Sequence, residues 1–257
     1  MKKLLLLLIF FTTTISFQAQ EKSYQDGEWF KFRIHYGWFN ASFATLEVKE
    51  ETYQDKEVYH VVGKGKSTGL LDLFFEVDDT YETYIEESSE LPLKFRRDIN
   101  EGGHTKNKVI YFDHAADEAL VKNLENDSEK KFIIHNNVQD MMSVFYFLRN
   151  KINPETIQQG DEIIVDLFFD EENYRFKTVF LGRETIKTKF GKMKALKFRP
   201  YVQADRIFKE EESLTFWVSD DKNKMPLKIE ADLAVGSLEA DLDAFKKLKH
   251  PFRIEME

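Results

Sequence analysis

The sequence predicts an all-β protein, mainly antiparallel: a strongly curved sheet or incomplete barrel or clamp with one helix packed in it. Three observations carry this. Aromatic residues are abundant, with 24 Phe, 10 Tyr and 3 Trp in 257 residues. Many of them fall in runs that alternate apolar and polar positions. A single stretch has helical rather than two-residue spacing. A two-residue period puts one set of side chains on a core and the other in water, as in antiparallel strands.

Met1–Gln20 reads as a secretory leader. Lys2-Lys3 is followed by the apolar run Leu4–Phe11, the polar Thr12–Thr14 and a small residue at Ala19. That order predicts a signal peptide over 1–19, too short in its apolar part to span a bilayer. The rest, 20–257, is expected to be a single β-rich domain of two sheet-rich halves, with a seam at 151–160.

The strands follow. Phe30, Phe32, Ile34 and Tyr36 alternate with Lys31, Arg33 and His35. Val77, Tyr81, Thr83 and Ile85 share a parity, as do Ile163, Val165, Leu167 and Phe169. About ten to twelve such runs are separated by turn clusters such as Gly102-Gly103, Asn126-Asp127 and Asp220–Asn223. In the last run the apolar positions are odd up to Val235 and even from Leu238, with Gly236 between. This phase change predicts a bulge or sharp bend in one long strand. Val138, Met141, Met142, Phe145, Leu148 and Ile152 follow helical spacing, with Asn137 as N-cap and Asn153-Pro154 as the stop.

Composition narrows the function. The chain has 37 Lys+Arg against 46 Asp+Glu, a formal charge of −9, and −11 without Lys2 and Lys3. An acidic surface argues against nucleic acid and against anionic membrane as partners. Nothing in the mature sequence predicts stable membrane insertion. The chain contains no cysteine, which removes disulfides, thiol nucleophiles, cysteine zinc sites and a lipid-bearing cysteine after the leader. The predicted location is the periplasm, with secretion as the alternative.

Several segments in order resemble a bacterial family of domains of unknown function, DUF3108. They are Gly27-Glu28, Ile34–Gly37 with Ala41, Gly63-x-Gly65, Phe74-Phe75-x-Val77-Asp78-Asp79 and Leu91-Pro92-x-x-Phe95 with Glu101–Gly103. After these come Val138-Gln139-Asp140, Phe145-Tyr146-x-Leu148-Arg149, Gly182-x-Glu184, Gly191, Trp217-x-Ser219-Asp220-Asp221, Pro226 and Gly236-Ser237. The resemblance implies an exported β-rich protein of Gram-negative bacteria; the style of the leader suggests Bacteroidetes. It implies no catalytic residues. At the level of fold alone it is similar to half-barrel lipid carriers.

No catalytic signature is legible. Gly63–Thr68 lacks the first glycine of a phosphate loop, because His60 stands there. The six histidines form no metal-ligand spacing, so neither metal nor cofactor is predicted. Asp98 and Glu101 beside Arg96 and Arg97 are the most plausible carboxylate cluster, but no nucleophile–base pair accompanies them. Arg96, Arg97, Arg149, Arg199 and Arg206 stand out among many lysines, and guanidinium suits a carboxylate or phosphate head group. The expected function is therefore non-catalytic. A small apolar or amphipathic molecule would sit in the curved sheet against Met141, Met142 and Phe145, with Arg149, Arg96, Arg97 and Trp217 as further contacts. The alternative is a carbohydrate-binding or carbohydrate-processing protein, with exposed Trp29, Trp38 or Trp217 stacked on the sugar rings of a glycan and carboxylates bound to its hydroxyls.

Overall fold

The computed structural model describes residues 21–68, 76–201, 214–233 and 236–252. The leader, Phe74, Phe75 and Arg206 lie outside the described residues.

Alternation becomes strands nearly throughout. In chain order these are β1 (Trp29–Tyr36), β2 (Phe39–Tyr53), β3 (Lys56–Ser67), β4 (Asp78–Glu86), β5 (Pro92–Glu101), β6 (His104–Asp113), β7 (Glu118–Asn123) and β8 (Ser128–Ile133). Helix α1 (Ser143–Lys151) follows, then β9 (Glu162–Phe169), β10 (Glu172–Thr188), β11 (Gly191–Tyr201), β12 (Leu214–Ser219), β13 (Pro226–Asp232) and β14 (Ser237–Lys246). They pair as one 14-stranded antiparallel sheet in the order β8-β7-β6-β5-β4-β3-β2-β1-β14-β13-β12-β11-β10-β9. The first and last strands therefore meet inside the sheet, and its two edges are β8 and β9.

The sheet does not close into a barrel, but its two edges are stitched together. After β8 the chain crosses to β9, where the Gln139 N–H donates to Asp166 O at 2.8 Å and the Phe168 N–H to Gln139 O at 2.9 Å. These bonds occupy backbone groups that a free edge would leave open to aggregation. The β9–β10 turn, Asp170-Glu171, has both residues at positive φ. It reaches back to β5 and β6, where Asp170 pairs with Arg97 and Glu171 with Lys108. Phe168 accordingly packs in one cluster with Phe95, Ile110 and Phe112.

Two sequence expectations change. The helix spans Ser143–Lys151, not the longer stretch from Val138. Val138 and Gln139 are drawn into the edge-stitching segment, and Asn137 sits in a left-handed turn at φ 57°. Capping falls to Asp140, whose Oδ1 accepts the N–H of Met142 at 2.7 Å and of Ser143 at 2.8 Å. Ser143 Oγ in return accepts the Asp140 N–H at 2.8 Å, a reciprocal cap. The end at Lys151 agrees with the Asn153-Pro154 stop, since the residue before proline avoids helical ψ.

The phase change at Gly236 is a chain reversal, not a bend within one strand. Ala231 faces Leu238 and Asp232 faces Ser237 across the β13–β14 hairpin. An odd residue opposite an even one flips the parity while keeping both on one face of the sheet. Gly236, at φ 72°, accepts the Leu233 N–H at its carbonyl in the turn. The seam expected at 151–160 falls in the connection from α1 to β9.

Candidate functional site

Helix α1 lies against the sheet through an apolar face. Val144 and Leu148 pack with Val165 of β9; Ile152 packs with Phe180, Leu196, Phe198 and Val218 of β10 to β12. Between α1 and β10–β13 the packing leaves a cavity of about 160 Å³. Phe145, Leu148 and Ile152 form its helix wall; Phe176, Phe216 and Ile229 face them from the sheet. Its accessible lining is wholly apolar. A void of this size holds a small apolar group, such as one aromatic ring.

The expected ligand contacts separate into three groups. Phe145, Arg149 and Trp217 do line this cavity. Met141 and Met142 do not: Met141 is exposed, and Met142 is wedged over Gly63 of β3, against the two clusters on the β3–β7 side. Arg96 and Arg97 lie in β5, away from the cavity. Arg96 pairs on the surface with Asp98 at 2.8 Å and Glu82 at 3.5 Å. Arg97 is buried on Asp170, with its guanidinium over the Phe169 ring.

Arg149 borders the cavity without offering it a charge. Its Nη1 and Nη2 donate to Glu28 Oε1 and Oε2 at 2.6 and 2.9 Å, and its remaining bonds go to the carbonyls of Ser23 and Asn223. Glu28 thus takes the place in which sequence reasoning put a ligand head group. Trp217 is 6% exposed, with its indole N–H donated to Glu184 and the ammonium groups of Lys197 and Lys228 over its ring. It has no open face for a sugar. Trp38, at 91% exposure, does.

The carboxylate pairing also differs from expectation. Asp98 and Glu101 sit at opposite parities of β5, and Asp98 turns to Arg96 at the surface. Glu101 instead interacts with buried Asp79, which also accepts the Asn100 N–H at 3.1 Å. Burial and Glu101 together hold the Asp79 carboxyl above its ordinary range. The signal was strand parity: Arg97, Ile99 and Glu101 share a side of β5 that Asp98 does not.

His35, Glu239 and Asp241 converge closely enough to suggest a metal site. Each group is already answered within the chain. His35 Nε2 contacts Asp241 at 2.9 Å and its Nδ1 the Gly37 carbonyl at 2.7 Å. Arg33 pairs with Asp241 and Lys228 with Glu239. The donor set is an ion-pair network rather than a metal cradle.

A family model for "Protein of unknown function (DUF3108)" matches residues 31–243. The chain belongs to that family. No curated protein matches this DUF3108 chain. Among solved structures, it is similar in fold to a β-barrel-like protein of domain DUF1849 from Brucella abortus. That match has a TM-score of 0.58 at 10% identity and covers 88% of this chain and 99% of the other. Weaker matches are a protein assigned to export, with a YmcC-like fold, from Bacteroides fragilis, and one assigned as a lipoprotein from Parabacteroides distasonis. The first has a TM-score of 0.36, 9% identity and coverage of 87% and 97%; the second has 0.39, 12%, and 89% and 100%. The DUF3108 chain thus shares a β-barrel-like architecture with the Brucella protein, and the likeness extends to fold alone.

Proposed function

We propose that this DUF3108 protein is an exported, non-catalytic binder of a small apolar or amphipathic molecule, held between α1 and the inner face of β10–β13. The observation that carries the proposal is the apolar cavity beside Phe145, Leu148, Phe216 and Ile229. Apolar burial contributes roughly 25 cal/mol per Å². A ring or short alkyl segment seated there is retained by dispersion and desolvation without any charged anchor, consistent with the Arg149 charge being spent on Glu28. The leader-like Lys2-Lys3 and Leu4–Phe11 support export to the periplasm.

Ile229 is the useful handle, because it lines the cavity yet is 39% exposed. Ile229→Trp fills the space from its lip without opening the core. The native protein is expected to bind a single-ring probe such as fluorobenzene, read by broadening of its fluorine NMR line, and Ile229→Trp to lose that binding with an unchanged Tm. Absence of probe binding by the native protein overturns the proposal. The glycan reading rests on exposed Trp38 and half-buried Trp29, whose ring has the Lys246 ammonium over it, because Trp217 is enclosed.

A further inference from the structure

We infer that the rim formed by the β1–β2 and β13–β14 turns docks on the surface of a neutral lipid bilayer. The inference goes beyond the cavity and holds whether or not the cavity is filled.

The two turns are neighbours because β1 pairs with both β2 and β14. Tyr36 opposes Phe39 on one side and Leu238 on the other. Together they present Tyr36, Trp38, Phe39, Leu233 and Leu238, exposed by 42, 91, 38, 50 and 40%. Single exposed apolar residues are ordinary, but a cluster of five at adjacent tips marks an interaction surface. Along β1, Phe30 and Phe32 are buried, Ile34 half-buried and Tyr36 exposed, so the inner face grades from core to solvent toward this rim.

Charge singles out the occupant. About a third of the chain is charged (32%), yet no residue from Tyr36 to Leu46, or from Leu233 to Leu238, carries a charge. At the base of the rim Arg33 and His35 face Asp241 and Lys228 sits between Glu230 and Glu239, while Asp232 is exposed beside Leu233, so the local charge runs from balanced to slightly acidic. Nothing here attracts anionic lipid, and the net charge of −9 repels it. Trp and Tyr beside Phe and Leu form the mixture that settles at a membrane interface, ring bodies in the apolar zone and N–H or O–H in the headgroups. A second copy fits less well. A two-fold contact needs a self-complementary patch, and a projecting Trp38 tip offers no hollow to receive its twin.

The test is flotation of the processed chain with phosphatidylcholine–phosphatidylethanolamine vesicles, read together with quenching of tryptophan emission by brominated lipid. The expected result is co-flotation that changes little with added salt and weakens when phosphatidylglycerol is introduced. Trp38→Ser with Leu233→Asp is expected to lower flotation at least tenfold at an unchanged Tm. Trp38→Phe is expected to keep flotation and lose the quench, because Trp217 is enclosed in the core and half-buried Trp29 starts β1 at the end opposite the rim. No flotation of the native chain overturns the inference. So does flotation that survives the double substitution, or a blue shift of Trp38 that tracks protein concentration without lipid and reports self-association. The Ile229→Trp cavity variant is expected to float normally, which separates this inference from the cavity reading.

Discussion

Arg149 and Glu28 stand 121 residues apart in the chain and meet as a two-toothed ion pair, their side chains 1% and 0% exposed. The rings of Tyr24, Phe30, Phe145 and Tyr146 surround the guanidinium at 5.4–5.6 Å. Burial works against the Arg149 charge, and Glu28 more than offsets it. The pair binds three pieces of chain: the segment before β1, helix α1, and the turn at Asn223 whose carbonyl takes two further bonds. Removing one partner strands the other charge in a dry interior. Arg149→Met is therefore expected to destabilise by about 3–5 kcal/mol in urea unfolding. Adding Glu28→Gln is expected to recover part of that loss, so the double substitution falls short of the sum of the singles.

Asp140 sets a pH dependence. It is fully buried, and desolvation pushes its carboxyl up to about 6 despite bonds from Thr83, Met142 and Ser143 that favour the charge. The folded state therefore holds a proton that the unfolded chain, near 3.8, releases. This group's contribution falls as pH rises from about 4 to about 6, by about 3 kcal/mol in all, and is flat above. Asp140→Asn keeps the cap acceptor and offers Thr83 a donor. Chemical unfolding at a series of pH values is expected to show this component of the slope vanish in the variant.

Gly63 and Met142 form a knob and a notch. A Cβ built on Gly63 would lie 2.9 Å from Met142 Cε and 3.2 Å from Leu46 Cδ2. Gly63→Val is expected to destabilise by about 1–3 kcal/mol through overpacking. Met142→Ala makes room, so the pair of substitutions is expected to be less than additive in a double-mutant cycle.

Gly236 holds φ at 72° in the β13–β14 turn, where a Cβ would stand 2.7 Å from the Tyr36 hydroxyl. That oxygen ends a half-exposed side chain and can move aside, which leaves the backbone conformation as the main penalty. Gly236→Val is expected to destabilise by about 1–2 kcal/mol, and Gly236→Asn by less, because asparagine tolerates the left-handed region. Thermal melts distinguish the two.

Strand identity was legible because a half-buried strand writes its period directly, as Phe30, Phe32, Ile34 and Tyr36 do. Strand partners were not. Nothing local in Trp29–Tyr36 says that it pairs with a strand more than 200 residues later. Helical spacing misassigned Val138 because an i, i+3, i+4 set arises by coincidence where an extended segment runs into a helix, and only the edge contact of Gln139 decides. Of the residues that line the cavity, Phe145, Arg149 and Trp217 were named from the sequence and Phe176, Phe216 and Ile229 were not. The sheet wall reads as ordinary alternation until the helix is laid on it. The role of Arg149 stayed hidden because Glu28, its counter-charge, is distant in sequence and sits beside an inconspicuous glycine.

The position of β1 beside β14 has a consequence for connectivity. Read along the sheet from β9 to β14 and then from β1 to β8, every strand follows its neighbour. The strand order is thus that of an up-and-down meander in which the first and last strands meet at the centre and the two edge strands are joined through α1. The segments that flank β1 and β14 are adjacent: Gln25 Nε2 donates to the carbonyls of Lys247 and Leu248, and His250 Nε2 contacts the Lys22 carbonyl at 3.0 Å. A short linker across them, with new termini opened between α1 and β9, would turn the longest-range strand pairing into a local hairpin. Conversely, trimming β14 from the natural chain does not shorten a sheet from its margin but divides it through the centre.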